Sequence, residues 1–148
     1  MISIQPHTSD CIESTAQLFD EYRVFYQQPS NLTAAEQFIR DRTTLNDSII
    51  YLAVIDKKAV GFLQIYPTFS SIQMGPVWLI NDLFVSKSSR ESGIGSALIQ
   101  HALSQAQLKQ IKAVRISTEN INQSAQRLYR KHDFIEDTKF IHFNFFTQ

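Results

Sequence analysis

A chain of 148 residues carrying 14 Lys+Arg and 14 Asp+Glu has room for one well-packed domain, and its balanced charge argues against a polybasic nucleic-acid surface. A single cysteine, Cys11, excludes an intramolecular disulfide framework, and His7, His101, His132 and His142 never fall in a metal-binding H-x-x-x-H spacing; a reduced, cytoplasmic, metal-free protein is expected. MISIQPHTSD lacks the segments of a signal peptide, and no apolar run nears the roughly 18 residues of a membrane helix, so no membrane partner is expected either.

Neither repeat nor linker divides the sequence, so residues 1–148 read as one domain. Met1 to Gln5 suits a short strand closed by Pro6. Asp10 with Glu13 and Thr33 with Glu36 match the capping box, predicting helices over about 10–25 and 33–43. Between them "FYQQPSN" reads as a loop at Pro29, Ser30 and Asn31, with the aromatic pair Phe25 and Tyr26 placed to face a ligand or to pin the loop. From Ser48 two β-branched and aromatic runs flank Asp56-Lys57-Lys58, a hairpin, and a third run spans Val77 to Val85 after the turn signal Met74-Gly75-Pro76. A helix over about 93–107, a strand over 112–118, a helix over about 122–131 and a closing strand near Lys139 to Phe146 complete the order β-α-α-β-β-β-α-β-α-β. That order is an α+β, mixed-layer domain.

The chemistry concentrates in "SRESGIGSALIQHAL". Ile94, Ala97, Leu98, Ala102 and Ala106 recur at helical spacing, which places Gly93 and Gly95 in the first turn of a helix that follows an apolar strand. Helix N-termini present unpaired N–H groups and a partial positive charge, and glycines let a bulky anion approach them. Arg90 and Ser96 can add side-chain contacts, so a phosphate ligand is expected. No lysine follows as a Walker loop demands, and the third small residue of a dinucleotide fingerprint is absent.

"RESGIG" from Arg90 to Gly95 resembles the R/Q-x-x-G-x-G/A acyl-coenzyme A signature of the GNAT superfamily of N-acetyltransferases. "NDLFV" from Asn81 to Val85 resembles that superfamily's fourth strand, and "NQSAQRLYRKHDF" from Asn122 to Phe134 its N-x-x-A-x-x-L-Y-x-K-x-G-F helix. The resemblance covers essentially the whole chain and implies a mostly antiparallel sheet whose fourth and fifth strands splay into a cleft flanked by helices.

It also implies roles. The loop Arg90, Glu91, Ser92, Gly93, Ile94, Gly95 and Ser96 would seat the pyrophosphate of acetyl-coenzyme A, and the backbone of Leu83, Phe84 and Val85 its pantetheine arm. Asn122 would contact the coenzyme, and Tyr129 would act as general acid toward the departing thiolate. Two positions depart from the pattern. Asp133 stands where the helix-ending glycine is usual, and aspartate tolerates left-handed backbone better than most residues. Asn81 stands where the diamine and polyamine acetyltransferases carry a glutamate proposed as base.

An alkylammonium of pKa about 10.4 is deprotonated in only about one part in two thousand at pH 7, so a base matters. Asp82, Glu119 and a water chain are the alternatives. For the acceptor, walls are expected from Phe25 to Asn31, from Tyr66 and Phe69, with Asn81, and from the C-terminal strand. These suit a small diamine, polyamine or amino acid, or a lysine-like side chain, and "FYQQPS" with "WLINDLFV" is similar to small members related to fungal histone- and D-amino-acid-acetylating enzymes. "FIHFNFF" would suit a homodimer. The competing class is a noncatalytic acyl-coenzyme A sensor, favoured by Asn81 and opposed by Tyr129; a nucleotide-phosphate binder without acyl chemistry comes third.

Overall fold

The computed structural model describes residues 1–147. They divide into two compact units, residues 1–117 and the segment from Thr118 onward. The first unit holds β1 (Ser3–Pro6), α1 (Ile12–Phe25), α2 (Leu32–Leu45), β2 (Ile49–Ile55), β3 (Lys58–Ser70), β4 (Gly75–Val85), α3 (Ile94–Leu108) and β5 (Ala113–Ile116); the second holds α4 (Gln123–Lys131).

One sheet runs in the order β1-β2-β3-β4-β5. Pairs β1·β2, β2·β3 and β3·β4 are antiparallel, as the run of hairpins predicts, and β5 joins β4 in parallel. The two-residue turn at Asp56 and Lys57 has both residues at positive φ, the geometry that matches strand twist. Alternation sends Ile50, Leu52, Phe62 and Phe84 to one face, where they pack with Ile12, Ala16, Leu18 and Ile39 of α1 and α2. On the opposite face α3 buries Ile94, Leu98, Ile99, Ala102 and Ala106, and Tyr51 meets His101 edge-on at 4.6 Å.

Both capping boxes fail to form. Asp10 lies in a 3-10 turn, Ser9–Cys11, so it stands too far ahead of α1, whose N-cap is Cys11. In α2 Asn31 intercepts the role of Thr33: its Oδ1 accepts the Ala34 N–H at 3.1 Å and starts the helix earlier. The loop before it is pinned by Asp20, which accepts from Ser30 Oγ (2.6 Å) and the Asn31 N–H (2.8 Å).

The expected closing strand near Lys139 to Phe146 is absent among the described residues. An alternating pattern supplies propensity, but a strand needs a partner for its main chain. Phe140, Ile141, Phe143, Phe145 and Phe146 are all exposed.

Candidate functional site

Pairing between β4 and β5 runs only from Val77↔Ala113 to Ile80↔Ile116, so β4 from Asn81 to Val85 is paired to β3 alone. The register makes the reason visible: Gln64 faces Asp82 and Ile65 faces Ile80, leaving Asn81 as the extra residue of a bulge. A bulge bends its strand and ends regular pairing. Beyond it, the Ser86 N–H bonds to the Val60 carbonyl on the β3 side, whereas the Val85 carbonyl accepts from Arg90 Nε at 2.9 Å. Peptide groups alternate along a strand, so Leu83 presents its main chain to the same open side as Val85.

The chain then turns through Ser86 to Ser92 into α3. Glu91 (φ 63°) and Gly93 (φ 81°) are both left-handed, and Ser92 Oγ donates to the Ser89 carbonyl at 2.5 Å. Gly93 is the N-cap, and a Cβ built on it would meet no atom within 4 Å. The amides of Ile94 and Gly95 precede the first intrahelical bond, Ala97 N–H to the Gly93 carbonyl. Helix N–H groups at the start of a glycine-opened turn are groups that an anion can approach. Arg90 does not reach over it: its guanidinium lies 4.9 Å from the Phe25 ring and 5.4 Å from Phe84.

Under the bulge sits a buried carboxylate. Asp82 is only 4% exposed and accepts from Gln64 Nε2 (2.7 Å) and Asn81 Nδ2 (3.1 Å), with the Tyr22 phenol near enough to feel its charge. Burial, and then the charge of Asp82, raises the Tyr22 phenol well above its ordinary value and pushes Tyr66 up to about 12. Both tyrosines therefore stay protonated donors at neutral pH. Sequence reasoning named Asp82 as a candidate base and Tyr66 as an acceptor wall without joining the two, and it missed Tyr22 and Gln64. A readable signal existed for Gln64, the lone amide inside the apolar run Val60 to Tyr66.

Phe25 and Tyr26 close the end of α1 beside this cluster, with Tyr26 5.0 Å from Tyr22 and Phe25 6.2 Å from Phe84. A cavity of about 280 Å³ opens between Asp20, Glu21, Val24, Phe25, Phe84, Lys87 and Arg90. Phe69 does not join them. It pairs with Pro76 at the start of β4, about 26 Å from Phe84 at ~3.3 Å per residue.

In the second unit Asn122 caps α4 by accepting the Ala125 N–H at 3.0 Å. Glu119 is exposed in the segment between β5 and α4 rather than on the strand. Tyr129 is half-buried on α4, and the helix ends at Asp133 with φ 66°. There the Phe134 N–H bonds to the Tyr129 carbonyl and the Asp133 N–H to that of Arg130, a Schellman ending. The rings of Tyr129 and Phe134 meet at 6.0 Å. Aspartate thus takes the glycine position at the cost of a local strain only.

Residues 14–134 match the Acetyltransferase (GNAT) family. The chain is 39% identical over 139 residues to an uncharacterized N-acetyltransferase, YhfO, of Bacillus subtilis strain 168, covering 94% of this chain and 93% of that one. A probable acetyltransferase of Haemophilus influenzae is 37% identical over 92 residues, 62% of this chain and 63% of its own. The crystal structure of a probable acetyltransferase superposes with a TM-score of 0.93 at 32% identity, covering 99% of this chain and 98% of that one. Agreement that extends from the sheet through the glycine turn to the last helix leaves one assignment: the chain belongs to the GNAT family and is an N-acetyltransferase.

Proposed function

We propose that the chain transfers an acetyl group from acetyl-coenzyme A directly to a primary amine, that of a small diamine, polyamine or amino acid or of a lysine-like side chain. One observation carries this reading above the others: β4 loses its β5 partner at Ile80 and runs, open-edged, into the turn that ends at Gly93. The residues fit the coenzyme. A Cβ on Gly93 would enter open space at the start of α3, and the main chain of Leu83 with the Val85 N–H, on the edge away from β3, can bond an extended amide-bearing arm.

Bound acetyl-coenzyme A supplies an activated thioester. The loop Arg90 to Ser96 holds its phosphates through main-chain N–H groups, and an N–H on the open edge of β4 polarises the acyl carbonyl. Asn122 adds a contact to the coenzyme, and Tyr129 holds its Oη proton for the leaving sulfur. For the ammonium proton two carboxylates are available, buried Asp82 and exposed Glu119. Phe25, Tyr26, Tyr66 and Asn81 form the acceptor's side of the site. The chain acts as one catalytic domain in a reducing cytoplasm, which suits the free thiol of Cys11. Exposed Phe140 to Phe146 offer a second copy a surface to cover, so we expect a homodimer, detectable by light scattering.

The test is release of free thiol from acetyl-coenzyme A against diamines, polyamines, amino acids of both hands and a lysine-rich peptide. Amine-dependent release is expected, reduced at least tenfold in Tyr129→Phe with coenzyme affinity unchanged. Tight coenzyme binding without release for any amine would replace the enzyme by an acyl-coenzyme A sensor.

A further inference from the structure

The carboxylate under the bulge is unfinished in a specific way. Among the described residues the ion pairs are Arg40–Glu36 and Arg42–Asp47, so Asp82 is buried with no cation beside it. A buried carboxylate without a counter-charge is costly unless its lone pairs are met. Two side-chain donors reach it, and an ionised carboxylate has about four acceptor sites.

Gln64 adds a second, independent unmet acceptor. It is fully buried, and its Nε2 is committed to Asp82, which can only accept. The amide cannot be turned around, so its Oε1 is fixed beside the carboxylate, and that oxygen has no hydrogen-bond partner. A buried acceptor left unmet costs about 1–3 kcal/mol. Two neighbouring buried acceptors, one of them charged, call for a ligand that brings several donors and a positive charge. A primary ammonium brings three donors on one atom.

Location decides which ammonium. The pair lies at the bulge where β4 parts from β5, beneath exposed Asn81 and the half-buried rings of Tyr22 and Tyr66. Around it the rings of Phe62 and Phe84 stand 5.7 and 5.9 Å from Tyr22. Aromatic faces accept a cation and its alkyl stem alike. Arg42, the cation whose field reaches Tyr66, has its charge balanced by Asp47, 2.8 Å from Nε.

We infer that Asp82 and Gln64 Oε1, rimmed by Tyr22 and Tyr66, form the receptor for the acceptor's ammonium group, selecting unbranched alkylammonium substrates over neutral or carboxylate-bearing ones. The inference rests on the acetyl-transfer reading for its substrate, but its binding step stands apart from catalysis.

The experiment titrates cadaverine, lysine and the neutral analogue 1-pentanol into coenzyme A-loaded protein by calorimetry, alongside acetylation kinetics. Cadaverine should bind at least tenfold tighter than pentanol or lysine, and this comparison uses the wild-type chain alone. Asp82→Asn should weaken cadaverine at least tenfold and Gln64→Leu at least threefold, each raising KM and leaving coenzyme A affinity unchanged. Tyr66→Phe, which keeps the ring, tests the rim should either variant fold poorly; a twofold or greater loss of cadaverine affinity is expected. Equal binding of cadaverine and pentanol, or variants with wild-type cadaverine affinity, would overturn the receptor even where thiol release persists. Cadaverine bound as expected with no thiol release would instead keep the receptor and remove acetyl transfer.

Discussion

Two buried polar clusters in the first unit make opposite statements. His7 is tied at both ring nitrogens, to Thr15 and Thr43 Oγ1 at 2.9 Å each. Thr43 gives its own proton to the Ile39 carbonyl at 2.7 Å, so His7 Nε2–H donates to Thr43 and Thr15 donates to Nδ1. Every polar atom there is spoken for, and the cluster joins the end of β1 to both helices. Gln64 and Asp82 form the other cluster, and it ends in an acceptor with nothing to accept. The two glycines repeat the contrast. A Cβ on Gly61 would stand 2.9 Å from the Phe84 carbonyl, whereas one on Gly93 would enter empty space. In these two clusters and two glycines, satisfied polar groups and filled volume go with the scaffold, and the unmet acceptor and open volume with the proposed site.

The largest effect that could break this contrast is at Gly93. Gly93→Val, which fills the opening and also forces a β-branched residue into left-handed backbone at φ 81°, should weaken acetyl-coenzyme A binding at least a hundredfold while the overall fold by circular dichroism persists, and near-wild-type affinity would remove the loop from the coenzyme site. Gly61→Ala should do the reverse. The main-chain oxygen opposite it cannot yield cheaply, and a loss of about 1–3 kcal/mol in urea unfolding is expected, with unchanged kcat/KM for the folded fraction.

Thr15→Val would strand His7 Nδ1 without a donor and should cost about 1–2 kcal/mol, again with no change in KM. A smaller effect is carried by pH. Burial lowers the His7 pKa below the ordinary 6.5, so the unfolded chain binds a proton before the folded one does. Stability from this residue is complete above about pH 6.5 and falls as the pH drops from there toward the depressed folded value. Thermal unfolding from pH 7.5 to 5 should show that slope, and His7→Gln should flatten it. Smallest of all is Phe69→Ala, at the far end of β4: amine KM should stay within twofold, and a larger change would bring that end of the sheet into the acceptor site.

Local signals carried much of this protein into view. The order of elements follows from periodicity and turn residues, because an amphipathic helix and an alternating strand each write their buried face into a short window. The glycine turn was legible because it is local, a strand, two glycines and a helix start within a dozen residues. The left-handed Asp133 was legible for the same reason.

What spans the sheet was not. The bulge at Asn81 exists only as a register between β3 and β4, and it decides where the β4 edge opens. Asp82 reads in sequence as a carboxylate one residue from the expected base; only packing shows it buried, bonded to Gln64 from the next strand and set near Tyr22 from α1. The C-terminal run Lys139 to Phe146 has a strand's pattern and no strand, because pattern sets which face a residue would show while pairing needs a second main chain. Sequence alone thus determined what each segment prefers within its own few residues. Tertiary structure decided which polar groups meet and which are left unmet, because hydrogen-bond satisfaction is a property of neighbours that the chain brings together from far apart.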